Sequence, residues 1–193
     1  MRVISGEAGG IPLKTVPGRA VRPTGDRVKE SMFSVLGDIS GNVVFDLFAG
    51  SGGLGLEALS RGAQRVVFVE KETRHLRVLE QNLRKVEHAL PSEGRAAAEI
   101  VRGDALQVPK CFAELRGRVD LILADPPYNS PSGAPGAESL IQNPAFQQWS
   151  KGAILVLEYS TDNQPVIDEQ EWSLLRRKSF GHTTLSFLKA RGS

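Results

Sequence analysis

The segment Asp125-Pro126-Pro127-Tyr128 follows a hydrophobic run and contains residue types that can hold an amino group. Two consecutive prolines exclude a helix and offer no backbone N–H, so the segment is stiff and rich in hydrogen-bond acceptors. The Asp125 carboxylate and the Pro126 carbonyl can both accept hydrogen bonds from one exocyclic amine, which favours a pyramidal nitrogen with an exposed lone pair. Tyr128 adds a ring for base stacking, a contact worth ~1–3 kcal/mol in single-stranded nucleic-acid sites. The pattern predicts a site for a nucleobase amine, and its alternative is a rigid turn.

A glycine-rich segment after an earlier hydrophobic run supplies a second candidate site. Gly50, Gly52 and Gly55 satisfy the pattern G-x-G-x-x-G at a predicted strand-to-helix turn, where glycines let backbone amides approach a ligand. Glu70 lies twenty residues beyond Gly50 and ends the next predicted strand, where a carboxylate can accept hydrogen bonds from both ribose hydroxyls. These features predict a nucleoside-containing cofactor, with a purely structural glycine turn as the alternative.

Asp46 distinguishes between the cofactors that such a turn can hold. It precedes Gly50 by four residues, so we expect its carboxylate at the mouth of the same pocket. A carboxylate there suits the ammonium and sulfonium charges of S-adenosylmethionine better than the pyrophosphate of a nicotinamide dinucleotide. Asp104 is a candidate acceptor for the adenine amino group, although an Asp before a helix is often only an N-cap. Because the sulfonium is already an activated methyl donor, positioning can supply much of the catalysis without a metal.

The elements that must position these residues alternate at the spacing of βαβ units. Near-continuous apolar runs are typical of parallel strands covered on both faces, and they occupy residues 43–48, 65–70, 99–102, 119–124 and 153–158. Helical patterns fall between them, and 173–180 with 183–188 form a predicted closing hairpin. The predicted fold is a doubly wound α/β domain, in which ligands bind at the carboxyl ends of the strands.

The N-terminal part of the chain forms a predicted extension to this domain. Residues 2–5 and 11–16 have the pattern of a β-hairpin with turn glycines between them. A helix from about Asp26 to Leu36 follows, with Thr24 as its predicted N-cap.

Composition excludes several other classes of protein. The chain has 193 residues and one cysteine, Cys111, so a disulfide framework is excluded and a reducing compartment, the cytoplasm, is expected. No apolar stretch reaches the ~18 residues of a membrane span. The net charge is only +2, but residues 172–193 contain five basic and no acidic residues. This asymmetry indicates either a face for a polyanion or ordinary solvated charge.

Two stretches resemble a known family of enzymes. Asp46-Leu47-Phe48-Ala49-Gly50-Ser51-Gly52 together with Asp125-Pro126-Pro127-Tyr128 resembles the amino-group methyltransferases that use S-adenosylmethionine. Arg22-Pro23-Thr24 with the following 26–30 segment, and the segment 56–63, resemble the bacterial 16S rRNA (guanine-N2)-methyltransferase family called RsmD. The resemblance extends from Arg2 to about Lys189.

The resemblance implies a Rossmann-like class I methyltransferase fold, with a seven-stranded mostly parallel sheet, helices on both faces, and an N-terminal β-hairpin and helix. It implies methylation of a guanine N2 amine in 16S rRNA, on the small subunit or a late assembly intermediate. The residues that match the catalytic motif are Asp125, Pro126, Pro127 and Tyr128. Those that match the cofactor motifs are Asp46, Phe48, Ala49, Gly50, Ser51, Gly52, Glu70, Lys71, Asp104 and Ala105.

The resemblance also implies that residues 1–38 recognise RNA and close over the cofactor, while 39–193 form the methyltransferase domain. We expect a monomer without metal, in which the predicted RNA contacts are Arg2, Arg22, Thr24, Arg27 and Lys29. The sequence departs from the family at residues 6–10, which contain an acid and no basic residue. This departure weakens a phosphate-binding role for the hairpin tip.

Three alternative functions are consistent with parts of the sequence. An adenine-N6 or other amino-group methyltransferase acting on DNA or another RNA shares the Asp-Pro-Pro-Tyr motif, although the chain has little room for a DNA target-recognition domain. A dehydrogenase fits the glycines and Glu70 but leaves Asp46 and Asp125 without a role. A non-catalytic RNA-binding module is the third alternative. Loss of a motif residue would support it, but every motif residue is present.

Overall fold

The computed structural model describes residues 1–16, 25–91, 96–127 and 136–191. The predictions made for Arg22, Thr24 and Tyr128 therefore lie outside the described residues. The chain divides into two compact units, Met1–Arg102 and Gly103–Ser193. The predicted domain boundary at residue 38 stays a prediction.

The first unit contains three parallel strands in the order β3-β2-β1. Val43 pairs with Arg65, and Arg65 in turn pairs with Ala97. Every residue of β1 and β2 except the first is buried, as the near-continuous apolar runs predicted. The elements of this unit are α1 (Asp26–Leu36), β1 (Val43–Leu47), α2 (Gly53–Ser60), β2 (Arg65–Glu70), α3 (Thr73–Ala89) and β3 (Ala97–Arg102).

The second unit contains four strands in the order β4-β5-β7-β6. β4 is parallel to β5, while β7 is antiparallel to both β5 and β6, so the predicted closing hairpin is confirmed. Ahead of the first strand of this unit, a short α-helix lies between two 3-10 turns, Ala105–Gln107 and Ala113–Leu115. The elements of this unit are α4 (Val108–Cys111), β4 (Leu121–Ala124), α5 (Ala137–Ile141), α6 (Pro144–Trp149), β5 (Ile154–Ser160), β6 (Trp172–Phe180) and β7 (Thr183–Ala190).

The N-terminal segment forms a short, irregular hairpin, in which the Val3 N–H donates to the Ile11 carbonyl and the Gly10 N–H donates to the Val3 carbonyl. A single antiparallel bridge joins Arg2 to Pro12, and Pro12 has no N–H to extend a ladder. The backbone amides of Ile4 and Ser5 donate instead to the two carboxylate oxygens of Glu57 on α2, at 2.6 and 3.0 Å. The cap of α1 differs from the prediction, since its N-cap residue is Gly25 and no side chain caps it.

Glu57 is fully buried and also forms the centre of a small charged cluster. Lys29 of α1 is fully buried, with its Nζ 3.7 Å from Glu57 Oε2 and donating to the Arg2 carbonyl. Arg61 Nε donates to Glu57 Oε1 at 2.9 Å. Burial lowers the pKa of the Lys29 ammonium, and the charge of Glu57 opposes this effect. The cluster joins α1, α2 and the N-terminal segment.

The cluster leads to a prediction about stability. We expect Lys29→Met to lower the free energy of unfolding by about 3–5 kcal/mol, because it leaves the buried carboxylate of Glu57 without one of its cations. Urea unfolding followed by circular dichroism measures the change. Glu30→Gln, an exposed substitution on the same helix, is the matched control and should stay within about 0.5 kcal/mol of the wild type. Equal stability of Lys29→Met and the wild type would contradict the assigned role of the cluster.

Candidate active site

The glycine-rich turn begins where β1 ends and runs into the first turn of α2. Phe48 has φ +63°, an uncommon left-handed conformation for a residue that is not glycine. The Ala49 N–H donates to the Val69 carbonyl at 3.0 Å, and Gly52 N–H donates to the Ala49 carbonyl at 2.7 Å. Gly52, with φ +88°, is the N-cap residue of α2. The predicted strand-to-helix context of the motif is therefore confirmed.

The three motif glycines meet different surroundings. A Cβ on Gly52 would lie 2.4 Å from Leu79 Cδ1, and a Cβ on Gly55 would lie 2.4 Å from Phe68 Cε1, so both glycines are required by core packing. A Cβ on Gly50 would meet nothing nearer than the Phe48 carbonyl oxygen at 3.9 Å. Gly50 is thus the motif glycine whose missing side chain leaves open space for a ligand.

Glu70 supports the turn from the end of β2. Its Oε2 accepts the Gly50 N–H at 2.7 Å, and its Oε1 accepts the Glu72 N–H at 2.7 Å. The residue is buried, and His75 Nδ1 lies 3.4 Å from Oε2. Each carboxylate oxygen has a further acceptor position, which is the pattern needed for a diol.

Asp46 lies beneath the turn, whereas the sequence placed its carboxylate at a pocket mouth. Its side chain is 2% exposed, and Oδ2 accepts the Gly55 N–H at 2.8 Å, near the start of α2. Burial raises the pKa of Asp46 to about 7, the hydrogen bond from Gly55 opposes the rise, and the charge of Glu70 adds to it. A nearby cation would stabilise the ionised form, so this environment favours a positively charged ligand.

The remaining predicted cofactor residues fall in two places. Phe48 and Ser51 are partly buried within the turn, and Lys71 is exposed beyond β2. Asp104 and Ala105 open the second unit, where the Asp104 carboxylate accepts the Leu106 N–H at 2.9 Å and caps a 3-10 turn. The capping alternative weighed for Asp104 is thus present in the structure.

The predicted catalytic segment directly follows β4 in the second unit. Asp125 is half-buried, Pro126 is buried and Pro127 is exposed. The buried strand β4 fixes the start of this segment, because all four of its residues are buried. Tyr128 belongs to the residues that the structure does not describe.

The predicted RNA contacts divide into exposed and buried residues. The Arg2 side chain is 62% exposed and forms a 3.0 Å ion pair with Asp26, and Arg27 is exposed. The prediction for Lys29 is wrong, since its side chain has no accessible surface and its ammonium is bonded inside the first unit.

Sequence reasoning missed the structural role of Glu57 and the position of His75. An acid inside the otherwise apolar helix Gly53–Ser60 was the available signal for Glu57. The side chain of His75 is only 14% exposed and faces Glu70. No local pattern indicates that contact, because it depends on how α3 returns along β2.

Comparisons with known proteins agree with this geometry over the whole chain. A family model described as "Conserved hypothetical protein 95" matches residues 1–189. YlbH of Bacillus subtilis (strain 168), described as a candidate rRNA methyltransferase, is 33% identical over 100% of both chains. "Ribosomal RNA small subunit methyltransferase D" of Haemophilus influenzae is 31% identical over 94% of this chain and 89% of its own length. The solved structure of yhhF from Escherichia coli, described as a candidate methyltransferase, is 27% identical, with a TM-score of 0.74 over 98% of this chain and 97% of that one.

The fold and the glycine turn define a methyltransferase of the Rossmann-like class I type, and the predicted fold class is confirmed. S-adenosylmethionine, the predicted cofactor, is the methyl donor of this class. The chain belongs to the Conserved hypothetical protein 95 family, which is the RsmD family.

The environment of Asp46 predicts a stability that falls as pH rises. Because its pKa is about 7 in the folded protein and about 3.8 when unfolded, the folded state holds the extra proton between these values. The contribution of Asp46 to stability is therefore greatest at about pH 4 and below and is lost as pH rises towards and through 7, with a change of about 2 kcal/mol between pH 5 and 7. Asp46→Asn should remove this slope in urea unfolding measured at each pH.

The control for this prediction is Asp38→Asn. Asp38 is exposed, and its pKa is lowered by hydrogen bonds from Ser40, so it does not titrate between pH 5 and 7. The control should keep the wild-type slope, and a wild-type slope in Asp46→Asn would disprove the assignment.

The different surroundings of the motif glycines predict separable effects. We expect Gly50→Ala to weaken binding of S-adenosylhomocysteine at least about tenfold, while the left-handed backbone costs roughly 1–2 kcal/mol and lowers Tm by about 2–4 °C per kcal/mol. Gly52→Ala should lower Tm further, because it has the same backbone cost and its Cβ also overlaps Leu79. Calorimetric titration and thermal melting measure the two effects. Unchanged affinity in Gly50→Ala would show that the open space at Gly50 is not the ligand site.

Proposed function

We propose that this chain transfers a methyl group from S-adenosylmethionine to the exocyclic N2 amine of a guanine in the 16S rRNA of the small ribosomal subunit. The observation that carries the proposal is the match, over nearly the whole chain, to relatives named as small-subunit rRNA methyltransferases. The described part of the Asp-Pro-Pro-Tyr motif, at the end of a buried strand, supports the same reaction.

In this proposal the first unit binds the nucleoside part of the cofactor. Glu70 accepts hydrogen bonds from the ribose hydroxyls with the acceptor positions left beside its bonds to Gly50 and Glu72. Residues 48–52 line the approach, and the Gly50 position leaves space for the ligand. Lys71, Asp104 and Ala105 complete the predicted cofactor set. Asp46 stabilises the turn, and its negative charge favours the cationic donor.

The catalytic segment holds the acceptor amine. Asp125 and the Pro126 carbonyl accept the two N–H groups of N2, and this localises the nitrogen lone pair. The lone pair forms the new N–C bond while the methyl–sulfur bond breaks, and sulfur keeps the bonding pair to give S-adenosylhomocysteine. The nitrogen then loses one proton, for which the Asp125 carboxylate is the base nearest in this arrangement. Positioning lowers the barrier, since the donor is already activated.

The RNA is proposed to be recognised by exposed basic residues of the N-terminal segment. Arg2 and Arg27 are accessible for phosphate contacts, and Arg22 and Thr24 stay in the predicted set. The substrate form is the small subunit or a late assembly intermediate, and the proposed location is the cytoplasm. A monomeric state and independence from metal stay predictions. Among the described residues, no helix combines the length and apolar character needed to cross a membrane.

The second candidate is an adenine-N6 or other amino-group methyltransferase acting on DNA or another RNA. Asp125-Pro126-Pro127 favours it equally, because the motif holds an amine without selecting the base. The names of the relatives favour small-subunit rRNA as the substrate.

The experiment offers labelled S-adenosylmethionine with small subunits from a strain that lacks this gene, with naked rRNA, or with duplex DNA. We expect label in small-subunit rRNA, and mapping of the modified nucleotide should show guanine N2. Label in DNA alone would disprove the proposal.

A variant tests the role assigned to the carboxylate. Asp125→Ala should reduce kcat by at least about 100-fold, while the Kd for S-adenosylhomocysteine changes less than about threefold. Asp120→Ala, a substitution at the exposed residue just before β4, is the control and should retain activity. Full activity of Asp125→Ala would exclude the amine-holding role.

A further inference from the structure

Glu158 is a buried acid that the reaction described above does not use. It lies near the carboxyl end of β5 and is only 3% exposed. A buried carboxylate costs free energy unless it is hydrogen-bonded or paired. Its neighbours on the strand, Leu157 and Tyr159, are equally buried, so the acid interrupts an apolar element.

Strand register places Glu158 beside the catalytic segment. β4 and β5 are parallel, with Leu123 paired to Val156 and Ala124 paired to Leu157. One residue further along lie Asp125, which directly follows β4, and Glu158 of β5. Continuing the register by one position gives a distance of about 4.8 Å between their Cα atoms, with both side chains on the same face of the second unit.

The row of paired residues that contains Glu158 also contains a basic residue on another strand. Glu158 pairs with Leu185 of β7, and Leu185 pairs with Lys178 of β6. Lys178 therefore lies on the same face two strands from Glu158, about 10 Å between Cα atoms. Its ammonium adds positive charge to this face, and the carboxyl group of Glu158 offers hydrogen-bond acceptors.

Two adjacent acceptors match the edge of guanine and not that of adenine. Guanine carries two donors side by side, the N2 amine and the N1–H. Adenine carries its N6 amine beside N1, whose lone pair would face a carboxylate. A base outside its stack is commonly recognised through hydrogen bonds to this Watson–Crick edge.

We propose that Glu158 is a specificity-determining residue that accepts the N1–H of the target guanine beside the N2 amine held by Asp125. The inference rests on the proposed guanine methylation and names the group that selects this base. The Asp-Pro-Pro-Tyr motif alone does not select a base. In this inference Glu158 supplies the contact that selects guanine.

The test uses 2-aminopurine, which keeps the N2 amine but has an unprotonated N1. An rRNA fragment or reconstituted small subunit carries guanine or 2-aminopurine at the position mapped in the preceding experiment. We expect the wild type to prefer guanine by about 100-fold in kcat/KM, because a polar site rejects an analogue that lacks the matching group. Equal rates on the two bases would overturn the inference.

A substitution then separates recognition from structure. The Glu158→Gln side chain keeps its volume, and its amide N–H can donate to the unprotonated N1 of 2-aminopurine. We expect the preference for guanine to fall at least about tenfold. A structural role would lower kcat/KM on both bases by the same factor, and that result would overturn the inference.

The matched control is Tyr159→Phe. Tyr159 is the next residue of β5, so it points to the opposite face, where its hydroxyl bonds to Ser186 at 2.8 Å. We expect this variant to keep the wild-type base preference, and a loss of preference equal to that of Glu158→Gln would overturn the specific role of Glu158.

The outcomes distinguish the two proposals. If the wild type methylates no guanine in small-subunit rRNA, the proposed function fails and this inference fails with it. If the wild type methylates guanine and accepts 2-aminopurine equally, only the role of Glu158 fails. Thermal melting and S-adenosylhomocysteine binding verify that each variant is folded, and equal wild-type rates on the two bases overturn the inference even if Glu158→Gln does not fold.

Discussion

Hydrogen bonds from backbone amides to two buried carboxylates hold the glycine-rich turn in place. Glu70 accepts the Gly50 N–H and Asp46 accepts the Gly55 N–H, so one acid fixes each end of the turn. Burial raises the pKa of Asp46, and the charge of Glu70 adds to this rise. The turn therefore retains unfavourable negative charge, which a cationic methyl donor can relieve.

The N-terminal segment is held by the same kind of interaction. Glu57 accepts two backbone amides from that segment and is balanced by Lys29 and Arg61. Such a cluster is weak evidence for stability, since desolvation offsets much of the attraction. The cluster positions the N-terminal segment, because Glu57 lies on the helix that begins at the glycine turn and attaches the segment to that helix. The charge on Lys29 is thus used for internal structure.

Much of the architecture could be predicted from local pattern. The strand limits of β2 agree with the prediction residue for residue, because an apolar run between polar ends is a local signal. The N-terminal hairpin was predicted but its attachment to α2 was not, since the amides of Ile4 and Ser5 bond to a residue more than fifty positions away. Local propensity and periodicity cannot indicate a hydrogen-bond partner that lies so far away in the sequence.

The glycine motif, its acidic partner Glu70 and the acceptor-rich Asp125 segment could be identified from the amino-acid sequence, because they depend on residue types at short spacing. Folding of the whole chain was needed to show which glycines pack against the core, that Asp46 is buried under the turn, and that Lys29 is inaccessible. The register of β4 and β5, which pairs Ala124 with the residue before Glu158, likewise relates residues far apart in sequence. Burial and pairing arise from the packing of distant segments, and no local pattern encodes them.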